Sequence, residues 1–190
     1  LHCMHKKVNS ETVKLTISKN DCEKLFFTAD THFGHARIIE YCNRPWSTAD
    51  EMTEGLITNW NNVVPKDGIV IHAGDVAFCD PTEIIRRLNG RIVLVRGNHD
   101  KDVYDSLYWK TCDYLGLKAG KQSIVVSHYC MRVWDKSHHN SWHFYGHSHG
   151  CLPPIGKSWD IGVDANVYSP LSFTEMSDIM SKQQNNISIF

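Results

Sequence analysis

The chain has 190 residues, 42% hydrophobic and 22% charged, with 12 Gly and 6 Pro; this suits one globular domain over residues 1–190 and excludes disordered, collagen-like and low-complexity classes. Its 20 Lys and Arg face 21 Asp and Glu, so the formal net charge of −1 advertises neither a nucleic acid nor an anionic membrane as partner. Apolar runs such as Ile92 to Val95 fall far short of the roughly 20 residues that cross a bilayer, so no membrane-spanning segment is expected.

Leu1 to Val13 is basic and polar, unlike a secretory signal, and Asn9 to Ser18 reads as a strand. Lys24 to Asp30 (KLFFTAD) follows as a second strand, rich in β-formers and closed by a polar residue. Ser47 can cap a helix with Met52, Leu56, Trp60 and Val63 on one face, and Gly68 to Asp75 (GIVIHAGD) is the next strand. Asp80 as N-cap, Pro81 at the first helical position, Glu83 as capping-box partner and Gly90 past the end punctuate a further helix. Strands are then predicted at Arg91 to Asn98, Gln122 to His128, Ser141 to His147 and Ser158 to Val163. Ser172 with Glu175 repeats the capping-box pattern ahead of Met176, Ile179 and Met180. The order predicts an α/β domain with a β-rich second half. The 7 Cys are scattered without a CxxC pair, which points to a reduced, cytoplasmic thiol set.

In open α/β sheets, ligands bind outside the carboxyl ends of the strands. Five predicted strands here end in metal-ligating residue types: Asp30 with His32, Asp75, Asn98 with His99, His128, and His147 with His149. Each alone has an ordinary explanation as a cap, a turn or a satisfied histidine. Their recurrence at successive strand ends predicts that they meet at one edge. Carboxylate, amide and imidazole ligands without a thiolate cluster suit Mn, Fe, Zn or Ni and argue against a structural Cys-type zinc site. Asp30, His32, Asp75, Asn98, His128, His147 and His149 are too many for one ion, whereas two ions sharing a bridging carboxylate, about 3.5–4 Å apart, would use them all.

The blocks Asp30-Thr31-His32, Gly74-Asp75, Gly97-Asn98-His99-Asp100, His128 and Gly146-His147-Ser148-His149 resemble the motif series of the calcineurin-like metallophosphoesterases, in order and with no member missing. More narrowly, the segments DTHFGHARII, RPW and HYCMRVWDKSHHNSWHFYGHSHG look like a small bacterial and phage group of predicted phosphoesterases. The resemblance implies a four-layer α/β/β/α sandwich. It places one divalent ion on Asp30, His32, Asp75 and His149 and a second on Asp75, Asn98, His128 and His147, with Asp75 as bridge. Against the narrower group, residues 1–20 look like an N-terminal extension.

The implied chemistry is hydrolysis of a phosphodiester or phosphomonoester by a hydroxide bridging two metals, manganese being one candidate, without a protein nucleophile. His99, beside Asn98 but not itself a ligand, is the expected general acid, with Asp100 as its orienting carboxylate. His35, three residues after His32, is expected to touch phosphate or support His32. Arg132, His138 and His139, in the loop between the last two ligand-bearing strands, are further candidates for substrate binding. Arg37 and Arg44 read as surface salt-bridge residues, Trp134 and Trp142 as core or rim, and Asp160 and Asp164 as turn residues. A small phosphate ester is the expected substrate. The alternatives are a nuclease on short or single-stranded nucleic acid and a catalytically silent, metal-stabilised binding scaffold.

Overall fold

A computed structural model of the chain describes residues 11–187. The strands β1 (Thr12–Ile17) and β2 (Leu25–Thr28) are joined by a 3₁₀ turn, and helices α1 (Ala36–Tyr41) and α2 (Ala49–Val63) lie between β2 and the strand β3 (Ile69–His72). Then come α3 (Thr82–Arg87), β4 (Arg91–Val95), β5 (Lys110–Cys112), β6 (Tyr114–Ala119), β7 (Gln122–Val126), β8 (Trp142–Tyr145), β9 (Ser158–Asp160), β10 (Leu171–Ser172) and α4 (Phe173–Ser181). Two five-stranded sheets result, ordered β10-β2-β3-β4-β5 and β1-β6-β7-β8-β9. In the first, only β10 runs antiparallel to its neighbour; in the second, only the β6–β7 hairpin is antiparallel. The fold is therefore mixed α/β with parallel-rich sheets.

The strands β2, β3 and β4 are buried on both faces, which explains their unbroken apolar runs. Leu25, Phe27, Ile71, Val93 and Val95 point toward the second sheet, where Leu115, Leu117, Ile124, Val126 and Phe144 complete one core. Phe26, Val70, Ile92 and Leu94 point the other way, onto Met52, Leu56, Ile57 and Trp60 of α2. The face of α2 runs on at i+4 to Val64, and Val63, expected on that face, is 42% exposed. Met176 and Met180 of α4 insert into the core between the sheets. On the far face of the second sheet, His143 packs against Trp134 of the segment before β8. Trp134 and Trp142 are both buried, as core residues.

Three local details differ from the sequence expectations. Thr48, not Ser47, caps α2, its hydroxyl accepting from the Glu51 N–H; Glu51 reaches back to the Ser47 N–H instead. At α3, Asp80 Oδ1 accepts from both the N–H and the hydroxyl of Thr82, and Glu83 pairs with Arg86 instead of closing a capping box. Part of the expected N-terminal extension is an edge strand, since β1 pairs along its length with β6; residues 1–10 lie outside the described residues. The capping box of Ser172 and Glu175 is present. No described helix is long and apolar enough to cross a membrane, and the six described cysteines are all free.

Candidate metal centre

The chain leaves β2, β3, β4, β7 and β8 at one rim and turns sharply there. Asp30, His32, Asp75, His147 and His149 all have positive φ, between 46° and 66°. A side chain in this left-handed region costs about 1–3 kcal/mol, so each must be held by its surroundings. Backbone bonds do this where the loops after β2 and β3 zip together: Asp30 N–H to Gly74 O, His32 N–H to Asp75 O and Phe33 N–H to Val76 O, at 2.9–3.1 Å. Gly97 is required by contact, because a Cβ there would collide with Asp75 Oδ1.

These turns deliver the seven expected ligands to one place. Asp30, His32 and His149 offer ligand atoms within 4.8 Å of one another, and so do Asp75, His128 and His147. Asp75 Oδ2 lies between the sets, 3.7 Å from His32 Nε2 and 3.6 Å from His128 Nε2. Asn98 Oδ1 joins the second set at 3.1 Å from His128 Nε2. His99 is on the same rim, its ring about half exposed and its Nε2 4.0 Å from Asp75 Oδ2.

The donor set suits cations. Asp30 Oδ2 accepts the His147 N–H, but its buried Oδ1 and both buried ring nitrogens of His32 have no hydrogen-bond partner among the described residues. Unpaired buried polar atoms are costly and ask for an explanation. Burial, with Asp160 and Asp75 nearby, pushes the Asp30 carboxyl well above the usual range. Burial, then the neighbouring His149 and Arg44, pushes His32 down to about 2, leaving a neutral imidazole. A buried carboxyl crowded by carboxylates and a neutral, unpaired imidazole are what divalent cations would relieve.

Further residues hold the ligands. His128 Nδ1 is 2.7 Å from Ala73 O, which makes it the N–H donor and leaves Nε2 as the lone-pair nitrogen. His149 Nδ1 is 2.7 Å from Asp164 Oδ2. Burial raises the Asp164 pKa, but bonds from His149 and Arg44 outweigh it and hold the carboxyl below its usual value. Arg44, expected at the surface, is buried: it forks onto Asp164 and also donates to the carbonyls of Asp30 and Thr31, at 2.7–2.9 Å. His72 bridges Thr31 Oγ1 and the Gly74 N–H, linking the first two ligand loops. Of the two expected turn residues, Asp160 is one, accepting the N–H groups of Gly150 and Gly162, while Asp164 serves His149.

Asp100 does not orient the His99 ring. Its oxygens accept the N–H groups of Asp75, Gly97 and Val76 at 2.8–3.0 Å, bracing the loop that carries Asp75. His35 does reach the rim, stacked on Phe78 with ring centroids 3.9 Å apart and 5.6 Å from His32. Arg132, His138 and His139 are not among the side chains that converge on Asp75 Oδ2. Their segment is tied to the C-terminal tail, with Asn186 donating to the carbonyls of Arg132 and Ser137, and the His138 and His139 rings meet each other at 4.1 Å. Two rim residues had no signal in the sequence: Phe78, which also touches His99, and Tyr129, whose hydroxyl donates to Asn98 Oδ1 at 3.2 Å.

No protein-family model matches the chain. A crystal structure of a protein of unknown function, AQ665 from Aquifex aeolicus, superposes with a TM-score of 0.65 at 25% identity, covering 82% of this chain and 98% of its own. A structure described as a predicted phosphoesterase from Streptococcus pneumoniae TIGR4 reaches a TM-score of only 0.37 at 19% identity, over 73% of this chain and 70% of its own. The uncharacterized protein MJ1445 of Methanocaldococcus jannaschii is 34% identical over 171 residues, which span 84% of this chain and 92% of the relative. At that identity and coverage, the chain belongs to the family of MJ1445.

Proposed function

We propose that this chain is a dinuclear metal-dependent phosphoesterase, hydrolysing a small phosphodiester or phosphomonoester. One observation carries the reading: Asp75 Oδ2 stands within 3.7 Å of an imidazole nitrogen from each of two separate ligand sets. The five sequence blocks that resemble the calcineurin-like metallophosphoesterases supply those same residues. One cation would sit on Asp30, His32, Asp75 and His149, the other on Asp75, Asn98, His128 and His147. Mn, Fe, Zn and Ni all suit these donors. When bound, such a pair supplies positive charge to the phosphoryl oxygens and an acidified water for in-line attack.

The protein's own groups do the rest. The His99 N–H donates to Asp75 Oδ1 at 3.0 Å, so the acid is anchored to the bridging residue while its exposed ring faces the departing alcohol. Proton donation at that oxygen is worth about 10²–10⁴ in rate. Asp100, Asp164 and Arg44 keep the ligand loops in their strained conformations. In this reading the fold is the metallophosphoesterase sandwich over residues 1–190, with the Trp134 segment covering the outer face of the second sheet, and the enzyme works in a reducing, cytoplasmic setting.

The test loads metal-free protein with each of the four metals and follows an aryl phosphodiester and an aryl phosphomonoester. Elemental analysis is expected to find two ions per chain and one reporter to turn over. His99→Ala keeps both ions and loses about 10²–10⁴ in kcat, whereas Asp75→Ala loses the ions. Loaded protein that hydrolyses neither reporter overturns the proposal.

A further inference from the structure

Beside His99 lies a cavity of about 340 Å³ that the hydrolytic chemistry leaves without a role. Its walls include Phe78, Pro81, Leu94, His99, Tyr104 and Tyr108. The walls are built from four sources: the loop after β3, the strand β4, the loop after β4 that carries His99 to Lys101, and the 3₁₀ turn Asp102–Leu107 with the residue that follows it. Phe78 rests on the His35 ring at 3.9 Å and on His99 at 4.6 Å, yet stays 42% exposed. A phenyl ring so exposed at a polar rim has apolar surface left to cover. The carboxylates along the wall are already engaged, Asp100 by three backbone amides and Asp80 by Thr82. Leu94 and Pro81 offer only apolar surface, and Lys101 with the hydroxyls of Tyr104 and Tyr108 adds polar groups to the walls. Pockets from about 300 Å³ upward hold small-molecule groups, and a ring presented to aromatic faces stacks on them.

We propose that this cavity receives the alcohol half of the substrate and selects one that bears a planar aromatic ring, of which a nucleoside is the type. The inference rests on the phosphoesterase reading for its geometry: His99 faces Asp75 Oδ2 with its Nε2 and borders the cavity with its ring, so the oxygen it protonates belongs to the group held there. Phe78, Tyr104 and Tyr108 are then specificity residues, and the phosphoryl group stays among the metal ligands.

Calorimetry on the metal-loaded full chain compares adenosine 5′-monophosphate with ribose 5-phosphate. The base is expected to tighten binding roughly tenfold, equivalent to about 1.4 kcal/mol, the scale of one ring stack. Tyr104→Ala closes that gap and leaves ribose 5-phosphate within about twofold of the parent; if this variant does not fold, Tyr104→Leu, which keeps the bulk and removes the ring, is scored in the same way. Equal binding of the two probes by the parent protein, or a variant that weakens both alike, overturns the inference. A parallel assay compares 2-phenylethyl phosphate with propyl phosphate, whose leaving alcohols are of similar basicity. Hydrolysis of both at one rate sinks the ring selectivity while the phosphoesterase reading stands; a ring-dependent binding gap with no hydrolysis of either, nor of the aryl phosphodiester, leaves the cavity assigned as a ring-binding site and removes the phosphoesterase reading.

Discussion

His149 can present only one nitrogen to a cation, because its Nδ1 lies 2.7 Å from Asp164 Oδ2. The carboxylate fixes the tautomer, aims Nε2 into the site and makes it a better donor. Arg44 in turn fixes the carboxylate, so a chain of three side chains from distant parts of the sequence ends on one ligand. Removing such a partner commonly weakens metal affinity about 10–100-fold. Asp164→Asn is therefore expected to lose that much affinity in a chelator-competition titration and, because it leaves the buried Arg44 guanidinium without its carboxylate, to lower the unfolding midpoint as well. An unchanged titration would take Asp164 out of this role. The convergence of Asp30, His32, Asp75, Asn98, His128, His147 and His149 was legible because each follows a β-rich run and falls in a short motif. Asp164 was not: it stands 15 residues from His149 and 120 from Arg44, and nothing nearby in sequence distinguishes it from a turn aspartate. Asp100 shows the converse, since adjacency to His99 suggested a partner, and the turn instead spends both oxygens on backbone amides.

At the scale of elements, punctuation that acts within one turn of chain was readable and pairing across the chain was not. The α4 capping box needs only Ser172 and Glu175, three residues apart, and both of its bonds form. That helix holds Met176 and Met180 in the core between the sheets, at the edge where β10 joins β2. Ser172→Ala removes a hydroxyl that accepts the Glu175 N–H and is expected to cost about 1 kcal/mol in urea unfolding, with cation binding unaltered because α4 carries no ligand. A loss below a few tenths of a kcal/mol would mean that the helix is held by its methionines alone. By contrast, β5 is three residues long, too short to show a period, and β6, although Leu115, Leu117 and Ala119 alternate with Gly116 and Lys118, is weakened as a strand signal by the glycine inside it. Their partners, β4 and β1, supply what local pattern lacks. The same holds for the helix ends at Thr48 and Pro81, where several polar residues compete for one cap and packing decides by a single position.

The whole molecule gathers Asp30, His32, Asp75, His147 and His149, all in the left-handed region, at one rim, and His143 belongs to the packing away from it. It is fully buried on the face of the second sheet away from the first, against Trp134 and Tyr145. The Met131 N–H donates to its Nε2 at 2.9 Å and its Nδ1 donates to Val125 O, so the ring is held in one neutral tautomer. Burial pushes its pKa down to about 4, against the bond to Val125, and protonation would set two N–H groups head to head at Nε2. The sign follows from linkage: above about pH 6.5 the ring is neutral folded and unfolded, and stability is unaffected by it. As pH falls, the unfolded chain takes up a proton near 6.5 that the folded chain refuses until about 4, so stability declines through that window, by about 3 kcal/mol in all. Denaturant unfolding measured at intervals from pH 7 to pH 4 is expected to show this slope in the parent chain and a shallower one in His143→Gln, which has nothing to titrate there. Parallel slopes for the two proteins would mean that water reaches the ring and that the segment carrying Trp134 does not seal this face of the sheet.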